Sequence, residues 1–166
     1  DGLLDLQVDN SGFPPKSKLI LFQQKKDHSY DDFATLWGLD IVNPVGTVVI
    51  DVNLDGKLDL ITSSHNVRDK NIKPRVYVFE NHLSLPKSRS LKFFLRGRKS
   101  NTYALGAMSI LKTNANTYRR YSHYNIGSVG GQNEEGAHFG LPKHEKVISL
   151  EVLWPSKKPS GAVHRQ

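Results

Sequence analysis

The stretch "DVNLDGKLDL", residues 51 to 60, constrains the fold of this chain more than any other. It places Asp51, Asn53, Asp55 and Asp59 close together, with Gly56 after the third acceptor, in a run otherwise rich in Val, Ile and Leu. One candidate is a two-residue hairpin turn, because Asp55-Gly56 can supply the positive φ angles such a turn needs. That turn would set Leu54 opposite Lys57, Val52 opposite Asp59, Asn53 opposite Leu58 and Asp51 opposite Leu60. Both faces would then mix apolar and charged side chains, whereas a half-buried ladder keeps one face apolar.

A loop converging on a hard cation fits the spacing better. Such loops take side-chain oxygens from positions 1, 3, 5 and 9, a carbonyl from position 7, and a sharp bend at a glycine in position 6. Here the set is Asp51, Asn53, Asp55, Asp59 and the carbonyl of Lys57, and the ion expected is calcium. An EF-hand would need a bidentate Glu at position 12 and a helix on each side. Position 12 is Thr62, and the flanks "GTVVI" and "LDLITSS" are β-branched and read as strands. The competing reading is an Asx-turn-rich connection without metal.

At 166 residues the chain can build one or two domains with real cores. It has no cysteine, which excludes disulfide scaffolds and thiolate metal sites, and no apolar run long enough to span a bilayer as a helix. The net charge of +7 permits anionic partners but also serves solubility. "DGLLDL" at residues 1 to 6 repeats "DGKLDL" at residues 55 to 60, so Asp1, Gly2 and Asp5 align with Asp55, Gly56 and Asp59. The preceding acceptors are missing from the first copy, and the chain reads as the C-terminal piece of a longer one. A period of 54 residues suits blade-like arrays of strands.

No segment carries the sustained 3.6-residue period of a packed helix, so an all-β fold is expected. "SKLILFQQ" and "RVYVFEN" read as strands, and "DHSYDDFATLWGLD" as an irregular or single-turn connection carrying Phe33, Leu36, Trp37 and Leu39. Composition shifts at "SLPKSRS", residues 84 to 90, which suggests a domain junction. Beyond it "LKFFLRG", "ALGAMSILKT", "TYRRYSHYNI", "AHFGL" and "VISLEVLWP" read as strands of a small sandwich or barrel. Its expected core is Phe93, Leu95, Leu105, Ile110, Phe139, Val147, Leu150, Val152 and Trp154. The domains expected are 1–90, 91–156 and a tail, 157–166, poor in core formers.

The order "KLILFQQ", "DDFATLWGLD", "GTVVIDVNLDGKLDLI" resembles the FG-GAP or VCBS repeats of calcium-binding β-propellers. "RGRKSNTYALGAMSIL", "GSVGGQN", "HFGL" and "VISLEVLWPS" resemble the ASPIC/UnbV domain that follows such repeats. The resemblance implies partial propeller blades followed by a small β-domain. It also implies a calcium-dependent, non-enzymatic scaffold or adhesion module at the cell surface, outside the cell or in the periplasm, contacting further blades, a neighbouring chain or glycans.

Other constellations are weaker. Lys87, Arg89, Lys92, Arg96, Arg98 and Lys99 could bind anions beside Phe94 and Tyr103, though lysines also protect strand edges and no nucleic-acid motif accompanies them. "GRKS" at residues 97 to 100 lacks the upstream glycine of a phosphate loop. His123, His138 and His144 lack metal-helix spacing, and "GSVGG" is no nucleophile elbow. Glu134 and Glu135 sit side by side in a Gly/Asn turn and read as solvated, pointing apart. No catalytic set emerges. The alternatives to a scaffold are an accessory part of a secreted enzyme with its chemistry in preceding sequence, and a polyanion-binding module.

Overall fold

The computed structural model describes residues 2–10, 13–84, 86–99, 101–122, 133–155 and 164–165. They are all-β, and no helix among them is long and apolar enough to cross a membrane. The chain divides into two compact units, one of Leu3–His82 with Asn125–Glu134, the other of Asp1–Gly2, Leu83–Tyr124 and Glu135–Gln166.

The first unit holds β1 (Leu6–Val8), β2 (Ile20–Gln24), β3 (Tyr30–Asp32), β4 (Pro44–Ile50), β5 (Asp59–Ser64) and β6 (Arg75–Phe79). They form two antiparallel three-stranded sheets, ordered β1-β2-β3 and β4-β5-β6. Each sheet repeats one device: the strand leaving a "DGxLDL" segment, β1 or β5, pairs with the strand that follows it. The glycines of the two segments share a positive φ, +92° at Gly2 and +84° at Gly56, a conformation glycine adopts without steric cost.

Leu60 pairs with Phe79, and Thr62 with Tyr77. Leu60, Phe79 and Tyr77 pack against the buried Leu19, Ala34, Leu39 and Ile41. Ala34 and Leu39 are delivered by the expected single turn. Trp37 N–H donates to the Phe33 carbonyl at 3.0 Å and Leu39 N–H to that of Ala34 at 2.8 Å, and the Phe33 and Trp37 rings meet at 5.2 Å. Burial of each large side chain contributes about 1.5 to 3 kcal/mol. On the opposite face of the second sheet, Ile61 pairs with Val78, and Val78 and Val76 are 56% and 72% exposed.

The second unit holds β7 (Ser88–Phe93), β8 (Met108–Thr113), β9 (Thr117–Tyr121), β10 (Ala137–Pro142), β11 (Val147–Trp154) and β12 (His164–Arg165). A four-stranded sheet, β12-β11-β8-β9, and a two-stranded sheet, β10-β7, make a small sandwich. Alternation along β10 turns Ala137, Phe139 and Leu141 inward, where they meet Leu111, with Leu91, Phe93, Tyr118 and Leu150 around them. The Phe93 and Phe139 rings meet edge to face at 6.0 Å. Ala104, Ala107 and Val152 form a second cluster with Leu95 and Trp154.

Two expected core residues are exposed instead. Leu105 follows Ala104, whose φ is +53°, in a turn that sends Ala104 and Ala107 inward. Val147 opens β11 beside a register shift, pairing with Thr113 while Ser149 pairs with Lys112, so the alternation of "VISLEVLW" is broken at its first residues. Three short strands escaped the sequence reading: β1, β3, and β12 within the stretch read as a tail, which pairs with Leu153 and Trp154.

Among the described residues of this unit the most buried ionisable group is Glu145, 2% exposed. Its carboxylate accepts from Thr113 Oγ1 at 2.5 Å, from Asn116 Nδ2 at 2.6 Å and from the Tyr118 hydroxyl at 3.0 Å. Burial pushes its pKa up, but these donors outweigh burial and hold it below the usual carboxylate range. The side chain thereby pins the β8–β9 hairpin to the connection between β10 and β11.

Candidate functional site

The β4–β5 register pairs Ile50 with Asp59, Val49 with Leu60 and Val48 with Ile61. The connection therefore runs from Asp51 to Leu58, and the two-residue Asp55-Gly56 hairpin is not formed. Leu54 and Gly56, with φ of +60° and +84°, give the loop its bends.

The acceptors fold back on the loop's own backbone. Asp51 receives Asp55 N–H at 3.1 Å on one oxygen and Gly56 N–H at 3.0 Å on the other. Asn53 Oδ1 also receives Asp55 N–H, at 3.0 Å, and Asp55 Oδ1 receives Lys57 N–H at 2.9 Å. Asp59 receives Val52 N–H at 2.8 Å and, on its other oxygen, Asn81 N–H at 2.7 Å. All four side chains are thus held by one turn, each by backbone donors. Asp51 and Asp59 are buried, and neither is paired with a cationic side chain among the described residues.

Lys57 enters the loop by its side chain as well as its backbone. Its ammonium lies 3.0 Å from Asp55 Oδ2 and donates to the Asn81 carbonyl at 2.7 Å. The Lys57 N–H and then its ammonium hold the Asp55 carboxyl below its ordinary pKa. Among the described residues no three His, Asp or Glu side chains form a metal-holding group, so Asp51, Asp55 and Asp59 are not gathered as one, and each accepts backbone N–H bonds instead. Each carboxylate oxygen that accepts one such bond keeps a second lone pair, and the set is made wholly of hard oxygen donors, which fits calcium by chemistry.

Two further residues at this loop escaped the sequence reading. Asn133 Oδ1 accepts Val49 N–H at 2.9 Å, Glu134 N–H donates to the Val49 carbonyl at 3.1 Å, and Glu134 Oε2 accepts Asp51 N–H at 3.2 Å. They satisfy the outer edge of β4 just where it enters the loop, so Glu134 is half-buried rather than solvated. Glu135 points elsewhere, to Arg96 at 3.1 Å. No local pattern in "GGQNEEG" marks this pairing, which joins residues 83 and 84 positions apart.

In the first repeat Asp5 plays the part that Asp59 plays in the second, receiving Gln24 N–H at 2.9 Å from the following strand. Burial pushes its carboxyl up against the pull of that bond. Asp1 lies outside the described residues, as do His123 and the "GSVGG" segment. His138 lies on β10, its carbonyl accepting Arg120 Nε at 3.1 Å, and His144 is exposed, so the structure does not bring these two into a ligand set.

The family model for ASPIC and UnbV matches residues 97–164, which takes in β8 to β11 and reaches the first residue of β12, and supports reading the C-terminal part as a domain of that kind. The match does not reach the two three-stranded sheets. No curated protein matches the chain.

Proposed function

We propose that the two three-stranded sheets are propeller blades of the FG-GAP or VCBS kind, and that the loop from Asp51 to Asp59 binds calcium. Asp51, Asn53, Asp55, Asp59 and the Lys57 carbonyl would hold the ion, with water completing the set. The observation that carries this reading is the burial of Asp51 and Asp59 with backbone N–H partners and no cationic side chain, in a turn whose side-chain acceptors are all oxygens. Buried carboxylates are costly unless a cation or several donors meet them, and a bound divalent ion would supply that charge.

The chain then serves as a non-enzymatic scaffold, with the cation stiffening the β4–β5 connection. The exposed apolar face carrying Val76 and Val78 is where further protein would pack, as one propeller blade packs on the next. Weak loops of this type, with dissociation constants on the order of 0.1 to 1 mM, fill outside the cytosol, which favours an extracellular, cell-surface or periplasmic setting. Thermal unfolding with and without calcium tests the reading. At about tenfold excess over the dissociation constant, stability should rise by about 1.4 kcal/mol. Amide exchange should slow at residues 51 to 59, and identical melting curves would refute it.

A further inference from the structure

The sandwich carries a charged strip that the cation loop does not explain. On β7, Leu91 pairs with Phe139 and Phe93 with Ala137, and these face the core. Lys92 pairs with His138 and takes the opposite face. Past the end of β7, Leu95 packs inward against the second cluster while Phe94 and Arg96 are exposed. Burial alternates along this segment, so Lys92, Phe94 and Arg96 face away from the core, and Arg98 and Lys99 follow in an exposed bend.

The aromatic rings on this strip support its cations. The Lys92 ammonium sits 5.0 Å above the Phe94 ring. A turn closed by Gly97 N–H to the Thr102 carbonyl, 3.1 Å, returns Tyr103 beside Arg96, whose guanidinium lies 5.5 Å from the Tyr103 ring. Glu135 meets Arg96 from one side at 3.1 Å. Arg98 and Lys99 are exposed and make no ion pair among the described residues.

We propose that this strip, Lys92, Phe94, Arg96, Arg98 and Lys99 with Tyr103, is a docking surface for a sulfated polysaccharide. Its four cations gather on one strand end and the exposed bend that follows it, which suits a linear chain bearing several closely spaced anions. Guanidinium forks meet sulfate oxygens two at a time. A single-stranded nucleic acid would instead need open ring faces for its bases, and Phe94 and Tyr103 each have one face beside a cation of their own. The surface is independent of calcium at the β4–β5 loop.

The test is calorimetric titration of the 166-residue chain with a heparin oligosaccharide of defined length, repeated between about 50 and 200 mM salt. The variant Arg98→Glu/Lys99→Glu is compared with Lys26→Glu/Lys70→Glu, an equal change of charge on exposed turns of the first unit. The strip variant should bind at least roughly tenfold more weakly and lower the salt slope by about 2, with the control close to the unaltered chain. If charge reversal unfolds the protein, Arg98→Gln/Lys99→Gln must give the same direction of change. The proposal is overturned by absent heparin binding, by equal losses in both variants, or by a single-stranded oligonucleotide binding as tightly as heparin.

Discussion

Replacing Glu145 tests how the sandwich is held together. In Glu145→Ala, three donors lose their acceptor. Asn116 is exposed and Tyr118 half-buried, so water replaces much of what they lose, at about 0.5 kcal/mol each. Thr113 is buried, and its hydroxyl is left with the Asn116 carbonyl at 3.2 Å, a poorer partner, at about 1 to 2 kcal/mol. The emptied side-chain volume adds about 1 kcal/mol, and relief of carboxylate desolvation gives some back. The net expectation is a loss of about 3 kcal/mol, and about half that for the isosteric Glu145→Gln.

The pH dependence supplies a second signature. The folded carboxyl titrates below its unfolded value of about 4.3, so its contribution is fully present above that value and disappears as pH falls through the folded pKa. Urea unfolding at pH 7 and pH 3 should show the gap between unaltered protein and Glu145→Gln shrinking at the lower pH. A Glu145→Ala loss under about 0.5 kcal/mol, or a gap independent of pH, would refute the assignment.

Gly136→Ala should lose about 2 kcal/mol or more in the same unfolding assay, because φ is +110° there and an added Cβ would sit 2.9 Å from the Phe93 carbonyl. Phe139→Ala, at the fully buried centre of the sandwich, should cost about 3 to 5 kcal/mol. Val76→Lys/Val78→Lys should reduce self-association in sedimentation while leaving the melting temperature nearly unchanged; a chain that is already monomeric at the same concentration would contradict the packing role of that face.

What was legible in the sequence was local. Two-residue alternation in "AHFGL" and β-branched flanks around the acidic loop locate β10, β4 and β5, and the mixed faces of a tight Asp55-Gly56 hairpin were enough to reject it. Where a register shift interrupts alternation, as at the start of β11, the same logic misplaced Val147. Small core residues such as Ala104, Ala107 and Ala137 left no hydrophobic signal in composition, and Leu111 and Leu141 were missed beside more conspicuous aromatics. The Asn133 and Glu134 contacts with β4, and the capture of the Lys57 ammonium by Asp55, depend on chain folding over long separations or on side-chain rotation, which spacing rules do not encode.

The central claim is that the loop from Asp51 to Asp59 is a calcium site, and calorimetric titration of calcium into the unaltered chain and into Asp55→Ala tests it most directly. One site is expected, with a dissociation constant on the order of 0.1 to 1 mM, weakened at least roughly tenfold by Asp55→Ala. No binding heat in the unaltered chain, or the same affinity after the substitution, would contradict it.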